Sequence, residues 1–277
     1  MNKSKNPYQG TVCWVTGASG GIGAALAIAL NQQGACVVIT ARRTAHLEEV
    51  KAVCLYPEQV VILPGDMEET EALPALARQA WHTFSHLDFV FLNAGMAVRD
   101  LFINTELALL QKVMAINFFS AAAITKTLLP LMKERGTGCF VITSSLSGKY
   151  GIPRLSAYAA SKHALHGLFD SIRAENKGAG IQVTIVVPGL IKTDISLNAL
   201  TGDGGTYGKM QASIANGISA KACAQRMLKA VARKKNEVVI GGPETYSVLA
   251  KRLFPDLFNY LMSNHPLQKL RRFGFFK

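Results

Sequence analysis

Seven short, uninterrupted apolar runs separated by longer stretches of helical periodicity leave this chain few ways to fold. The runs are Thr11–Thr16, Ala35–Thr40, Val60–Leu63, Asp88–Asn93, Cys139–Thr143, Gln182–Val187 and Glu237–Ile240. Between them, Gly21–Gln33, Met67–Phe84, Thr105–Lys133 and Ser156–Lys177 place apolar residues on one helix face. A strand that is apolar on both faces needs helices on each side, and strand–helix–strand units in one sheet close right-handed. The prediction is therefore an α/β chain with a doubly wound, seven-stranded parallel sheet and helices on both faces. With 277 residues, 49% of them hydrophobic, it can bury one full core, and no repeat or Pro-rich linker divides it. Residues 1–277 read as a single domain in which 241–277 form a C-terminal helical extension.

No unbroken apolar run reaches roughly eighteen residues, and Met1–Gly10 is polar with two lysines. The expectation is a cytoplasmic protein with neither a spanning helix nor a secretory signal. Cys13, Cys36, Cys54, Cys139 and Cys223 form no CxxC pair and mostly sit in strand-like runs, which predicts buried free thiols. His46, His82, His86, His163, His166 and His265 show no metal-ligand spacing, and the chemistry below needs no metal. Of the net charge of +12, most lies in residues 221–277, which hold 12 of the 30 basic and 3 of the 18 acidic residues.

The first strand runs into Thr16-Gly17-Ala18-Ser19-Gly20-Gly21-Ile22-Gly23 and then into a helix. Glycines there permit a tight turn and close approach of backbone amides to a pyrophosphate, and the helix N-terminus adds partial positive charge. A plain βα turn is the alternative for a glycine cluster, but the flanking strand and helix favour a nucleotide site. At the end of the second strand, Ala41-Arg42-Arg43 replaces the carboxylate that would bind the adenosine ribose. Guanidinium groups at that point can pair with a 2′-phosphate, which predicts NADP rather than NAD. Two solvated arginines at a helix start are the competing reading.

The clearest chemical signal is Ser145 together with Tyr158 and Lys162. Tyrosine and lysine four residues apart share one helix face, so the ammonium can approach the phenol. Lowering a phenol pKa by about three units takes roughly 4 kcal/mol, and one positive charge about 4 Å away at an effective dielectric near 20 supplies about that. Lys162 is thus expected to make Tyr158 more acidic. Ser145 follows the fifth strand at the carboxyl edge of the sheet, where its hydroxyl can polarise a substrate oxygen. A lone Tyr-x-x-x-Lys is more often a surface pair; the glycine turn in the same chain argues otherwise.

These residues resemble the short-chain dehydrogenase/reductase family over nearly the whole chain to about Ile240. Thr16–Gly23 resembles its TGxxxGxG turn, Asn93-Ala94-Gly95 its NAG segment, and Ser145, Tyr158 and Lys162 its catalytic serine and YxxxK. Pro188-Gly189 with Thr193 resembles its PG motif and cofactor-contacting threonine, and Leu92 stands where the family often has a second asparagine. The resemblance implies a Rossmann-type fold and a cofactor site of Gly17, Ser19, Gly20, Gly21, Ile22, Gly23, Arg42, Arg43, Asp66, Asn93, Ala94, Gly95, Tyr158, Lys162, Pro188, Gly189, Ile191 and Thr193. It implies Tyr158 as general acid/base, Lys162 on the nicotinamide ribose, Ser145 on the carbonyl and Asn117 in a proton relay to solvent. Asp66 would contact adenine, although an N-cap for the next helix reads equally well. Dimers or tetramers built on the helices Thr105–Lys133 and Ser156–Lys177 are also implied.

Residues 190–219 follow the PG motif, and Thr201–Gly208 has the composition of a mobile loop that closes over substrate. Ile191, Ile195, Leu197, Leu200 and Met210 either line a greasy pocket or pack this loop onto the core. Residues 246–277 combine Leu249, Leu253, Phe254, Leu257, Phe258, Leu261 and Met262 with Lys251, Arg252, Lys269, Arg271 and Arg272. Such a tail either lies on an anionic membrane, or its apolar face closes the substrate pocket or packs on a neighbouring subunit with its charge solvated; Pro255 and Pro266, which break the apolar run, favour packing. The stretches Ser156–Ala164 and Leu197–Gly208 resemble dehydrogenase/reductases of the 7B type, and the wider branch includes 11β-hydroxysteroid dehydrogenases. This implies a hydrophobic, lipid-like carbonyl substrate, with an N-terminal membrane anchor common in such relatives and not expected in this chain. Two other readings are a 3-oxoacyl reductase docking an acyl carrier and a non-enzymatic NADPH-binding redox sensor. No nucleic-acid motif accompanies the basic tail.

Overall fold

In the computed structural model, which describes residues 6–264, all seven predicted strands join one parallel sheet. The strands are β1 (Val12–Thr16), β2 (Cys36–Thr40), β3 (Val60–Ile62), β4 (Phe89–Leu92), β5 (Gly138–Thr143), β6 (Ile181–Pro188) and β9 (Glu237–Ile240). Their order is β3-β2-β1-β4-β5-β6-β9. The short strands β7 (Ile191–Lys192) and β8 (Ile218–Ser219) pair separately, and no apolar run marked them in the sequence. The helices are α1 (Gly21–Gln32), α2 (Thr44–Ala52), α3 (Leu73–Thr83), α4 (Leu107–Met114), α5 (Ser120–Arg135) and α6 (Ser156–Glu175). After them come α7 (Ala212–Ala215), α8 (Ala220–Ala232), α9 (Tyr246–Leu253) and α10 (Pro255–Ser263).

Alternation along each strand feeds two cores. Trp14, Val38, Val90, Phe140 and Ile185 pack on α3, α5 and α6 through Leu76, Ile124, Leu128 and Phe169. Their neighbours Cys13, Val15, Val37, Phe91, Val141 and Val186 pack on α1, α2 and α8 through Leu26, Leu30, Leu47 and Met227. Both faces being covered is why these strands read as continuous apolar runs. Strand order reverses between β1 and β4, so a crevice opens beyond the carboxyl ends of β1, β4 and β5. The cysteines are free thiols; Cys13, Cys54, Cys139 and Cys223 are buried and Cys36 is partly exposed.

Two expectations need correction. The helix expected over 67–84 begins only at Leu73, because Pro74 in its first turn lacks the N–H that an earlier start would need. The long helix expected over 105–133 is α4 and α5 joined by a π-helical turn at Ala115–Phe119. That same segment, Leu107–Arg135, is long and apolar enough by length and composition to cross a membrane, a test that a core helix packed on a sheet also passes. Asn117, Ser120 and Thr125 interrupt its apolar run, which is why a search for unbroken runs passes over it. Here Ile124, Leu128 and Met132 are buried against the sheet and Asn117 is buried in a polar network. Lys269, Arg271, Arg272 and Pro266 of the basic tail lie outside the described residues.

Candidate active site

The turn after β1 is shaped by contacts that only glycine allows. Gly17 has φ +67°, and a Cβ there would stand 2.7 Å from the Ala94 Cα. A Cβ on Gly23 would meet the Gly17 carbonyl oxygen at 2.2 Å, so α1 packs directly against the turn. Gly20, by contrast, faces open space, and no side chain among the described residues caps the N-terminus of α1 there. The free N–H groups of Gly21, Ile22 and their neighbours therefore face the crevice, beside Ser19, as a pyrophosphate site requires. Asn93 clamps this turn to β4: its Nδ2 donates to the Thr16 and Gly17 carbonyls at 3.2 and 3.4 Å, and its Oδ1 accepts from Thr143 Oγ1. Thr16 Oγ1 accepts from the N–H groups of Asn93 and Ala94.

At the end of β2, Arg42 and Arg43 are exposed, and Arg42 Nη1 lies 3.9 Å from Asp66 Oδ2 at the end of β3. Asp66 does not cap α3. Its Oδ1 accepts from the Glu68 N–H in a local turn seven residues before that helix, leaving it at the strand edge where the nucleotide base would lie.

Ser145, Tyr158 and Lys162 come together where β5 meets α6. Lys162 is buried, and its Nζ donates to the Thr143 carbonyl at 2.8 Å and stands 5.6 Å from the centroid of the Tyr158 ring. An ammonium has three donors, so others remain for ribose hydroxyls. Ser145 accepts from the Ser147 N–H at 3.2 Å and also interacts with the Tyr158 phenol. Asn117 sits in the π-helical turn with its amide fully engaged: Oδ1 accepts from Met96 N–H at 2.8 Å, and Nδ2 donates to Met96 O and Ser161 Oγ. Gly95 lies between Asn117 Oδ1 and Lys162 Nζ, 3.3 and 3.5 Å from where its Cβ would be. Such turns recur at functional sites because they re-aim one residue within a helix.

The electrostatics differ from the expectation for Tyr158. Burial raises its pKa above 10, with the Ser145 hydroxyl pulling it partly back. Burial also lowers the Lys162 ammonium to about 8. The desolvation that the phenolate would suffer outweighs a cation turned toward a backbone carbonyl.

The PG segment closes the other side. Gly189 follows β6, and a Cβ there would stand 2.4 Å from Glu244 Oε1, which accepts from the Leu190 and Gly242 N–H groups. No motif pointed to Glu244, because its role exists only once β6 and the segment before α9 are adjacent. Pro188 ends β6, the Ile191 side chain is in the core, and Thr193 touches Gly21 of the glycine turn. Of the loop residues, Leu200 packs on Val98 and Leu109, while Met210 is exposed. The loop is strapped to residues 97–106 by Leu200 N–H to Ala97 O, Arg99 N–H to Leu200 O and Glu106 N–H to Gly202 O.

A doubly wound sheet with an open glycine turn and a Ser/Tyr/Lys group where β5 meets α6 defines a dinucleotide-dependent oxidoreductase class. Residues 11–203 match the family model described as short chain dehydrogenase. The SDR family protein 7-like dehydrogenase/reductase of Drosophila melanogaster is 36% identical over 274 residues, which is 96% of this chain and 83% of that protein. Dehydrogenase/reductase SDR family member 7B of Rattus norvegicus is 37% identical over 270 residues, covering 95% and 83%. A short-chain dehydrogenase/reductase from Burkholderia phymatum in complex with NAD shares the fold with a TM-score of 0.79 at 19% identity, covering 90% of this chain and 95% of that one. An alcohol dehydrogenase from Thermococcus sibiricus complexed with 5-hydroxy-NADP has a TM-score of 0.72 at 23% identity, covering 85% and 97%. The chain belongs to the short-chain dehydrogenase/reductase family, in the branch of the 7-like and 7B proteins.

The buried ammonium makes a stability prediction. Lys162 loses its proton near pH 8 in the folded protein and near 10.5 when unfolded. Between these values the unfolded chain holds a proton that the folded one lacks, so this group's contribution to stability rises with pH. Below pH 8 the cost of burying the charge, about 3 kcal/mol, is present in full. Lys162→Met should therefore be more stable than wild type at pH 7, with the difference shrinking toward pH 10, as denaturant unfolding at each pH will report.

Proposed function

We propose that this protein transfers hydride between NADP(H) and a hydrophobic, lipid-like ketone or secondary alcohol, with Tyr158 as general acid/base. The observation that carries this reading is the meeting of Ser145, Tyr158 and Lys162 at one strand edge beside the glycine turn. The dinucleotide, when bound, supplies the hydride. Gly17–Gly23 would cradle its pyrophosphate on the α1 N-terminus, Lys162 would take its ribose hydroxyls, and Thr193 and the Ile191 backbone would hold the nicotinamide end. In reduction, Ser145 holds the carbonyl oxygen and Tyr158 delivers its phenolic proton to that oxygen as charge develops there. A phenol held above 10 by burial is fully protonated at neutral pH, which suits it to act first as an acid. The proton is replaced along Lys162 and the Asn117 turn, which flank Gly95.

NADP is favoured by the exposed Arg42 and Arg43 and by the missing carboxylate at Ala41. Arg42 makes only a long, solvent-screened pair with Asp66, so a 2′-phosphate can recruit it at little cost. Homodimers or homotetramers formed along α4–α6 fit the outward Leu107 and Phe119, which are 68% and 52% exposed.

A specific observation supports a peripheral membrane location. Helices α9 and α10 pack on the body through Val248 and Phe258, the latter edge-on to Tyr150 at 4.9 Å. Their other face leaves Leu249, Leu253, Phe254, Leu257, Tyr260 and Leu261 each more than half exposed beside Arg252, while Lys251 lies over the Phe258 ring and donates to Asn259. Packing and membrane contact are therefore compatible, one on each face.

Tyr158→Phe should abolish NADPH oxidation with a panel of medium-chain and lipid-like ketones while NADPH binding, followed by nucleotide fluorescence, stays near wild type. Arg42→Ala should weaken NADPH about 10-fold or more, the worth of a charge-assisted pair, and leave NADH nearly unchanged in the same titration. Wild type should co-sediment with phosphatidylserine vesicles at low salt and release at high salt. Leu253→Glu with Leu257→Glu, both exposed in the fold, should remain in the supernatant.

A further inference from the structure

Behind the Ser145, Tyr158 and Lys162 group lies a second polar cluster that no motif announced. Tyr158, Lys162 and His166 follow one another at successive turns of α6 and so form a single stripe facing the end of β5. Thr143, Ser144 and Ser145 meet that stripe in order. The Thr143 carbonyl takes Lys162 Nζ, Ser144 Oγ lies 2.9 Å from His166 Nε2, and Ser145 meets the Tyr158 phenol. On its far side, His166 Nδ1 is 3.3 Å from Lys149 Nζ, which is itself held at 2.5 Å by Glu237 Oε2 on β9. His166 is 9% exposed and lies beside Gly148, where any Cβ would meet Ser144 Oγ and His166 Nε2, so only glycine leaves room for this pair.

The directions of these hydrogen bonds follow from their chemistry. Glu237 Oε2 also faces Nδ1 but at 3.6 Å is beyond hydrogen-bond reach, so the Lys149 ammonium, which can only donate, makes Nδ1 the acceptor and a neutral ring then carries its proton on Nε2. Nε2–H donates to Ser144 Oγ, whose own hydroxyl donates to the Lys162 carbonyl at 3.4 Å. Burial, then Lys149, lowers the His166 pKa to about 4; Glu237 on β9 and Asp170 oppose this, and His163 adds to it. The ring is therefore neutral across the physiological range. The result is a one-way line from Lys149 through His166 and Ser144 to the backbone of Lys162.

We propose that His166 is a positioning residue which, through Ser144, fixes the Ser145 hydroxyl opposite Tyr158 and Lys162. This rests on the Ser145, Tyr158 and Lys162 reading given above. Ser144 and Ser145 are consecutive, and the Ser144 side chain is pinned only by this line; a loosened Ser144 shifts the hydroxyl that must meet the substrate oxygen.

The test compares full-length variants with NADPH and the ketone panel, below each one's melting temperature. His166→Leu should lower kcat about 10²-fold, as a misplacement of about 1 Å does, with NADPH affinity and KM within about threefold of wild type. Ser144→Ala should act alike, and the double variant should lose no more than either change alone. His166→Gln, whose amide donates from near the Nε2 position, should recover most of the rate and guards against a variant that does not fold. A His166→Leu kcat within about threefold of wild type, or losses that multiply in the double variant, would overturn the proposal. Failure of the enzyme reading would look different, with wild type and Tyr158→Phe equally inert. In that event the 15N resonances of His166 decide: Nε2–H between about pH 6 and 8 upholds the arrangement, and a protonated Nδ1 sinks it.

Discussion

A buried ammonium set on the end of a strand organises this site. Lys162 lies in protein interior with the Thr143 carbonyl as its hydrogen-bond partner, and that one bond ties α6 to β5 at the crevice where parallel α/β sheets bind ligands. An ammonium in such a place is costly to desolvate, so its pKa falls to about 8, and it is correspondingly ready for ribose hydroxyls or another polar partner. The same burial holds the Tyr158 phenol protonated.

The nucleotide side of the crevice uses backbone in place of charged side chains. Gly17 and Gly23 bring the turn, β4 and α1 closer than any Cβ would allow, and Asn93 and Thr16 lock that approach with hydrogen bonds. At the rim Arg42 and Arg43 are exposed, with Arg42 3.9 Å from Asp66. Glu244 then fastens the PG segment, so that Thr193 closes over the same turn from the opposite strand. The loop after β7 is joined to residues 97–106 by backbone bonds at Leu200 and Gly202.

The family assignment and the fold agree on an NAD(P)-linked oxidoreductase, and the outer layer bears on where it works. The α9–α10 hairpin buries one face on Tyr150 and Val248 and leaves an apolar, basic face outward.

Much of this was legible from the chain itself. All seven main strands, the glycine turn and the Tyr158–Lys162 spacing were recognisable, because strand burial, backbone sterics and the helical repeat are short-range properties written in consecutive residues. The start of α3 was legible too, in Pro74, but helical periodicity extended it too far. What consecutive residues could not determine was the environment: the direction of the Tyr158 pKa, the engagement of Asn117 with Met96, Glu244 under the PG segment, and the line from Lys149 to Ser144. Each joins residues far apart in the chain, and each depends on how much water the packed elements exclude, a quantity that exists only once the sheet and its helices have closed.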